Sequence, residues 1–320
     1  MSKYIVRRLL QAIPILVGIT LVTFFIMRLA PGDPMRLMID PRIDPSEILK
    51  AEERLGLHRP LIVQYFAWLR ELCHGNLGYA IKTGRPVAQM IGERLPATFV
   101  LAAASLLLSF GFAIPVGVYS AVRKYSPADY ALTVASLFGI SVPSFFFGLG
   151  LIYVFSVKLG WLPTSGLATI GVPLHGWPLV ADRLRHLILP MTVLALANTA
   201  AIMRHTRSAM VEMLGMDFIR TARAKGLAEK VVVFKHALRN ALIPVITLFG
   251  LCIPELFAGS FITETIFAWP GMGRLGVEAI WAREYPVVMG INLLVSVMVL
   301  VGNLTADVLY AVVNPEIRYN

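Results

Sequence analysis

Few residues of this sequence stand in an arrangement that could catalyse a covalent reaction. No Gly-Lys dipeptide occurs, and a P-loop needs that pair to hold nucleotide phosphates. Neither a His-Glu-x-x-His nor a Gly-x-Ser-x-Gly motif is present. The histidines are scattered over positions 58, 74, 175, 186, 205 and 236. We therefore expect a non-catalytic chain, in which any ATP that drives its function is hydrolysed on another chain.

The most informative carboxylate is Glu255, which follows Pro254 in the apolar stretch CIPELFAG. An acidic side chain inside a bilayer is costly unless it pairs or faces a watery cavity, and a proline removes a helical hydrogen bond beside it. We therefore predict that Glu255 and Pro254 line a solute pathway and favour a cationic group, such as a peptide amino terminus or a metal complex. A structural ion pair, or a position near the membrane interface, is the alternative. Asn198 and Pro143 are further pathway candidates.

These residues lie in segments long enough to cross a membrane. The chain has 320 residues, of which 57% are hydrophobic and 15% charged, a composition outside the range of ordinary soluble proteins. Apolar runs near the bilayer-spanning length of about 20 residues recur six times. They cover residues 9–28, 97–121, 131–157, 187–203, 241–262 and 287–313. The sequence predicts an all-α polytopic membrane protein with six transmembrane helices.

The distribution of Lys and Arg predicts the orientation. Fourteen of these cations lie before the first run, in 122–130, in 204–240 and at the C-terminus, against five in 158–186 and 263–286. Nine more lie in 31–96, a segment long enough to cross the membrane largely regardless of its charge. Because cytoplasmic loops carry the excess of cations, both termini are predicted to be cytoplasmic. The net charge of +10 is spread between the runs, so we expect no nucleic-acid partner.

The predicted organisation has four parts. Residues 1–30 form the cytoplasmic N-terminus and the first helix, 31–96 a helical periplasmic subdomain, 97–313 the core with five further helices, and 314–320 a cytoplasmic tail. In the subdomain, DPSEILKAEERLG predicts a capped helix that starts at Asp44 and ends at Gly56. RPLIVQYFAWLRELCHG predicts a second helix from Pro60 to Gly75.

The loop 204–240 carries eight Lys and Arg, more than topology alone requires. Gly215 is predicted to end the preceding helix, Asp217 to cap a short helix over 218–225, and Gly226 to end it. Ala222 and Ala224 would let this helix approach a partner closely, with cations beside the contact. The alternative is a solvated loop that lies on anionic lipid headgroups.

The segment DFIRTARAKGLAEKVVVFKHALRNALIP resembles the EAA loop of the inner-membrane permease subunits of bacterial ABC importers, in the form found in the dipeptide/oligopeptide/nickel family. The family's Glu-Ala-Ala positions are Arg220, Thr221 and Ala222 here, and its glycine is Gly226. RRLLQAIPILVGITLVTFFIMRLAPGDP, ETIFAWPGMGRLGVEAIWAREYPVV and NPEIRY extend the resemblance along nearly the whole chain. The chain is most similar to the subunit with the Pro-Gly-Asp-Pro element, which pairs with a second, different permease.

The resemblance implies the fold of type I ABC importer permeases and a place in the bacterial inner membrane. It implies docking of two cytoplasmic ATPases, which bind ATP and Mg, on the EAA loop; this chain itself would bind no cofactor. A periplasmic or lipid-anchored solute-binding protein would deliver the solute to the outer face. The implied ATPase-coupling residues are Phe218, Arg220, Thr221, Ala222, Arg223, Ala224, Lys225, Gly226, His236, Leu238, Arg239 and Asn240. Candidates for an outer gate or docking contact are Trp269, Pro270 and Gly271.

Di- and oligopeptides are the implied solutes, and nickel, a metal chelate or glutathione are the alternatives within the same machinery. Two other classes of protein compete with this interpretation. An ion-coupled secondary transporter would be expected to carry more intramembrane acidic residues, in inverted repeats. A membrane-anchored scaffold would not need several spans interrupted by prolines.

Overall fold

The computed structural model describes residues 2–29 and 59–313, and the regular secondary structure of this part is helical apart from one isolated bridge between Tyr79 and Pro86. The first helices are α1 (Ser2–Leu29), α2 (Leu61–Cys73), α3 (Val87–Val122), α4 (Pro127–Ser141), α5 (Ser144–Leu151) and α6 (Trp177–Leu214). They are followed by α7 (Asp217–Ala224), α8 (Glu229–Val231), α9 (Leu238–Cys252), α10 (Glu255–Ala258), α11 (Phe261–Ile266), α12 (Met272–Trp281) and α13 (Tyr285–Val313). Two π-helical turns, Ile152–Lys158 and Val232–Ala237, prolong α5 and join α8 to α9.

Five helical segments of the described residues are long and apolar enough to cross a membrane, and a sixth crossing results if α4 and the extended α5 are one bent span. The predicted run 131–157 is interrupted in the structure, because the two helical segments that cover it, Pro127–Gly139 and Ser144–Lys158, meet at 99°. Pro143 explains the break: its ring disfavours helical backbone at the preceding residue, and Val142 is extended, with φ −78° and ψ 123°. A new helix then starts behind Pro143.

The centre of the fold is the long pair of α3 and α6, which run parallel to each other. Both helices extend beyond the predicted apolar runs 97–121 and 187–203. They cross closely at Gly117, where an added Cβ would lie 2.8 Å from Cβ of Thr206. Ser109 Oγ donates to the carbonyl of Ala195, 3.1 Å away, farther along the same contact. These contacts make the pair the rigid frame on which the other helices pack.

The helix predicted from Pro60 to Gly75 is confirmed as α2. It follows Pro60 and ends before Gly75, which has the positive φ of 79° that favours glycine. Tyr65 of α2 is buried against Phe24 of α1, with ring centroids 5.5 Å apart, and its hydroxyl lies 3.1 Å from Oγ1 of Thr20. The predicted helix 44–56 lies outside the described residues.

The connections gather at two ends of the bundle. The turn between α3 and α4, the end of α6, and α7 lie together at one end, which we call the basic end because it carries the cations of the 204–240 loop. Residues 77–91 pack with α12 and the start of α13 at the opposite end. Glu284 ties that end together, since its carboxylate accepts from the backbone N–H of Lys82 at 2.7 Å.

Candidate functional site

The short helix of the basic loop exists and is shifted by one residue from its predicted position. Gly215 ends α6 and Gly226, with φ +75°, follows the end of α7, as predicted. The predicted capping role of Asp217 is wrong: Met216 is the N-cap residue, and no side chain caps the helix. Asp217 is the first helical residue, where a carboxylate still interacts favourably with the helix dipole.

One face of α7 packs against its own chain. Ile219 and Ala222 are buried there, at the i, i+3 spacing that places residues on one helix face. We call the group that they join the α7 cluster; its buried members are Val118, Ala121, Met210, Ile219, Ala222, Val232, Val233, Ala237 and Ala241. The prediction that Ala222 lets a partner approach is therefore wrong. Its small side chain lets α7 lie close to the end of the bundle.

The opposite face of α7 is open to solvent. Its exposed residues are Phe218, Arg220, Thr221, Arg223, Ala224, Lys225, Gly226 and Leu227. Arg223 also reaches across the Gly226 turn to the carboxylate of Glu229, with contacts of 2.7 and 3.2 Å. The hydrogen bonds that Arg223 donates to Glu229 raise the pKa of Arg223 above its usual value. This exposed pair bridges α7 and the start of α8. The exposed face presents cations between the apolar side chains of Phe218 and Leu227.

The other residues implied by the resemblance lie on the path from α8 into α9. Arg239 and Asn240 are exposed, and Asn240 Nδ2 donates to the carbonyl of His236 at 3.0 Å. His236 is half-buried, and Leu238 packs against the α7 cluster. The structure thus brings the twelve residues to one end of the molecule, with Ala222 and Leu238 directed into its packing.

A cavity of about 350 Å³ lies farther along the bundle, between α3, α6, the start of α5 and the segment 255–264. Glu255 and Asn198 both line it, with the Asn198 side chain near the carboxylate of Glu255. Pro143 lines an adjoining cavity of about 230 Å³, which shares Ser144 in its wall. Pro254 is not among the residues of either wall.

Pro254 packs behind the cavity, against α13. An added Cβ at Gly302 of α13 would lie 2.6 Å from Cδ of Pro254, so α13 touches the chain just before α10. Regular helical bonding stops at Cys252 and again at Gly259, which has φ +74°. The segment that carries Glu255 is therefore a short helix between two interruptions, and this places its carboxylate at the cavity.

Sequence reasoning missed Glu264, a fully buried acid in the same cavity wall. Its carboxylate accepts from Thr98 Oγ1 at 3.0 Å and from the backbone N–H of Arg274 at 2.9 Å. Thr98 Oγ1 in turn accepts from the N–H of Met272 at 2.7 Å. Both side chains thus satisfy the free N–H groups at the start of α12. The one signal in the sequence for this role is that Glu264 precedes a Pro-Gly turn and a new helix.

The three outer candidates lie beside this network. Trp269 is 1% exposed and donates through Nε1 to the carbonyl of Ala97 at 2.9 Å. Gly271 is buried, and an added Cβ would lie 2.4 Å from Oε2 of Glu264. Pro270 is half-buried. In this conformation, Trp269 and Gly271 hold the turn in place and do not offer surface to a docked protein.

Within residues 2–29 and 59–313, no three His, Cys, Asp or Glu residues lie close enough to hold a metal ion together. Most of the predicted site residues in this part of the chain belong to the cavity with Glu255 or to the loop that carries the exposed face of α7.

Comparisons with known proteins agree on one family. A model described as "Binding-protein-dependent transport system inner membrane component" matches residues 113–319, and the corresponding N-terminal model matches residues 1–102. The oligopeptide transport system permease protein AppB of Bacillus subtilis is 49% identical over the whole of both chains. The di/tripeptide permease protein DppB of Pseudomonas aeruginosa and the dipeptide permease protein DppB of Escherichia coli are 44% and 41% identical, each over 100% of this chain and 99% of the relative.

A solved structure supports the fold. A chain of the inward-facing MetNI methionine ABC transporter superposes with a TM-score of 0.57 at 17% identity, over 71% of this chain and 97% of that chain. The superposition covers nearly all of the solved chain and 71% of this chain, so this chain has elements in addition to the shared core.

Proposed function

The chain belongs to the family of inner-membrane components of binding-protein-dependent transport systems, and from this premise we propose that it is the permease subunit of an ATP-driven importer of di- and oligopeptides. It has the fold of type I ABC importer permeases and is a multi-pass inner-membrane protein. The observation that carries the proposal is the full-length similarity to permeases named for oligopeptides, di/tripeptides and dipeptides.

An ABC importer permease works with ATPase subunits and a solute-binding protein. We propose that this chain pairs with a second, different permease, and that ATP and Mg are bound by two partner ATPase subunits. The pairing would cover the broad apolar faces that the single chain leaves exposed, for example at Phe138, Phe146 and Leu107. The basic end would face the cytoplasm, with both termini on that side, in keeping with the excess of Lys and Arg there.

The exposed face of α7 would be the contact for an ATPase. Phe218 and Leu227 offer apolar anchors, and Arg220 and Lys225 offer charges that steer and orient a partner. The buried face of the same helix rests on the α7 cluster, so a push on α7 is delivered to α3 and α6. This arrangement suits an element that both binds a partner and transmits its movement.

The cavity that Glu255 lines would form part of the solute pathway. A cavity of about 350 Å³ is at the lower end of the range of small-molecule sites, which suits a short peptide. The Glu255 carboxylate would attract the ammonium group of the peptide amino terminus, and Asn198 would orient that carboxylate. Pro143 and Pro254 would permit the backbone breaks on either side.

Uptake by cells tests the proposal. Cells with and without the gene for this chain are given a labelled dipeptide and, in parallel, labelled nickel. We expect the deletion to abolish dipeptide uptake and leave nickel uptake unchanged, and the wild-type gene to restore dipeptide uptake. Loss of nickel uptake alone would contradict the peptide assignment. Uptake that an uncoupler stops and vanadate does not would contradict the ATP-driven class.

A further inference from the structure

Asp129, near the start of α4, is the hub of a buried polar network at the basic end. Its side chain is 3% exposed and receives Nε and Nη2 of Arg207 at 2.7 and 2.6 Å. Ser120 of α3 donates its hydroxyl to the same carboxylate, and the N–H of Tyr125 donates to it at 2.9 Å. One carboxylate thus joins α3, α4, α6 and the turn between α3 and α4.

This network holds the turn in an unfavourable backbone conformation. Tyr125 has φ +66°, in the left-handed region that side chains other than glycine rarely adopt. The hydrogen bond from its N–H to Asp129 stabilises that conformation. Such conformations persist where the surroundings over-determine them, and they concentrate at switch regions and functional sites.

Arg207 stands beside the part of α6 that touches α7. Met210, three residues later, is fully buried in the α7 cluster against Ile219 and Ala222. Arg207 and Met210 are less than one helical turn apart, so any movement of this end of α6 moves both side chains together. A push on α7 therefore reaches Asp129 through a single rigid stretch of helix.

From Asp129, α4 leads to the cavity. Its 15 residues span about 22 Å and end at the bend of Val142 and Pro143. Ser144, the first residue after the bend, lines both cavities. The cavity of about 230 Å³ at this bend leaves room for the angle between α4 and α5 to change.

We propose that the Asp129–Arg207 ion pair ties α4 to α6, the helix through which movement of the ATPases at α7 reaches the membrane domain. The helices α7 and α4 and the end of α6 then move as one body. The bend at Pro143 converts this motion into a change in the shape of the cavity wall. This inference rests on the proposed function, since it assumes that α7 is the ATPase contact. Arg207 and Asp129 are positioning residues and touch no solute. The bidentate pair suits this role because its two hydrogen bonds fix orientation as well as distance.

The test distinguishes an ion pair that transmits motion from one that only stabilises the fold. Removing one partner would leave an unpaired buried charge and could prevent folding, whereas apolar replacement of both partners is often neutral or stabilising. We would therefore reconstitute the full transporter in proteoliposomes with Asp129→Leu/Arg207→Met. Arg85→Gln/Glu93→Gln, which removes an exposed ion pair on α3 and the loop before it, is the matched control. The measured quantities are the ATPase subunits that co-purify, ATP hydrolysed and labelled dipeptide transported.

We expect the apolar variant to retain its ATPase subunits and to transport roughly 2- to 30-fold less dipeptide per ATP, the factor that corresponds to the usual effect of a mutation on coupling between distant sites. The control variant should keep the wild-type ratio. A wild-type ratio in the apolar variant would overturn the inference and leave the proposed function intact. Absence of ATP-dependent dipeptide transport by the wild-type protein would overturn both.

A second measurement leaves the Asp129–Arg207 pair intact. Spin labels are attached to pairs of cysteines at exposed positions Tyr130 of α4, Asp217 of α7 and Tyr153 beyond the bend, after replacement of Cys73 and Cys252 by alanine. On ATP binding, we expect the 130–217 distance to stay constant and the 130–153 distance to change. A change in the 130–217 distance, or a constant 130–153 distance, would overturn the inference.

Discussion

Ala222→Leu tests whether α7 is held to the bundle by the face that the structure buries. Ala222 is 6% exposed and lies among the tightly packed side chains of the α7 cluster. Adding three carbon atoms to such a site typically costs about 1–3 kcal/mol. Because α7 is joined to its neighbours by Gly215 and Gly226, we expect this cost to fall on local detachment of α7 and to leave the transmembrane core folded.

Local detachment can be measured as cleavage by trypsin. A helix resists the protease until it opens, and the cleavage rate follows the open population when opening and closing are fast. A cost of about 1–3 kcal/mol raises that population roughly 5- to 150-fold, since about 1.4 kcal/mol corresponds to a factor of ten. We therefore expect cleavage after Arg223 and Lys225 to accelerate by that factor in Ala222→Leu permease expressed without ATPases.

Ala224→Leu is the control for this prediction, because Ala224 is exposed on the same helix. Surface substitutions usually change stability by less than about 0.5 kcal/mol, so its cleavage rate should stay within about twofold of the wild-type rate. Equal acceleration in both variants would refute the assignment of the buried face. In the assembled transporter, Ala224→Leu should instead weaken the retention of ATPase subunits.

Further predictions concern the cavity and the turns. Glu255→Gln should lower uptake of a dipeptide with a free amino terminus and leave uptake of its N-acetylated form unchanged; equal loss for both would contradict the amino-terminus contact. Gly271→Ala should destabilise the protein by about 1–3 kcal/mol, since the new methyl group would lie 2.4 Å from Oε2 of Glu264. Gly111→Ala, with nothing within 4 Å, is the control in the same thermal-unfolding assay, and an equal loss in both would contradict the packing. Gly226→Ala, at φ +75°, should cost about 1 kcal/mol and speed tryptic cleavage of the loop, and unchanged cleavage would contradict the strain at that turn.

Apolar run length and glycine placement were enough to predict the membrane-spanning helices and the limits of α7. Gly226 follows α7 with φ +75°, a left-handed conformation that glycine adopts without strain, and Gly215 is the C-cap residue of α6. The resemblance to ABC importer permeases is confirmed by the family match along the chain. The 99° bend before Pro143 was harder to predict, because a proline inside an apolar run permits either a kink or a complete break.

The positions that sequence reasoning misjudged depend on contacts between distant segments. Ala222 looked suited to a partner, but its burial is decided by Met210 and Val233, which the fold brings to the same face. The structural role of Glu264 was not predicted, because its donors, Thr98 and the N–H of Arg274, belong to other elements. The Asp129–Arg207 pair joins residues 78 positions apart. Such contacts follow from tertiary packing and leave no periodic pattern in the sequence.

The most direct test of the central claim is transport by the purified system. The permease pair, its ATPases and the binding protein are reconstituted in proteoliposomes, and labelled dipeptide is supplied on the binding-protein side and ATP on the side of the basic end. We predict accumulation of dipeptide that needs ATP and the binding protein, is stopped by vanadate and persists when ion gradients are collapsed. This accumulation should be lost when Arg220, Arg223 and Lys225 are replaced by alanine. Accumulation that requires an ion gradient and proceeds without ATP would contradict the central claim.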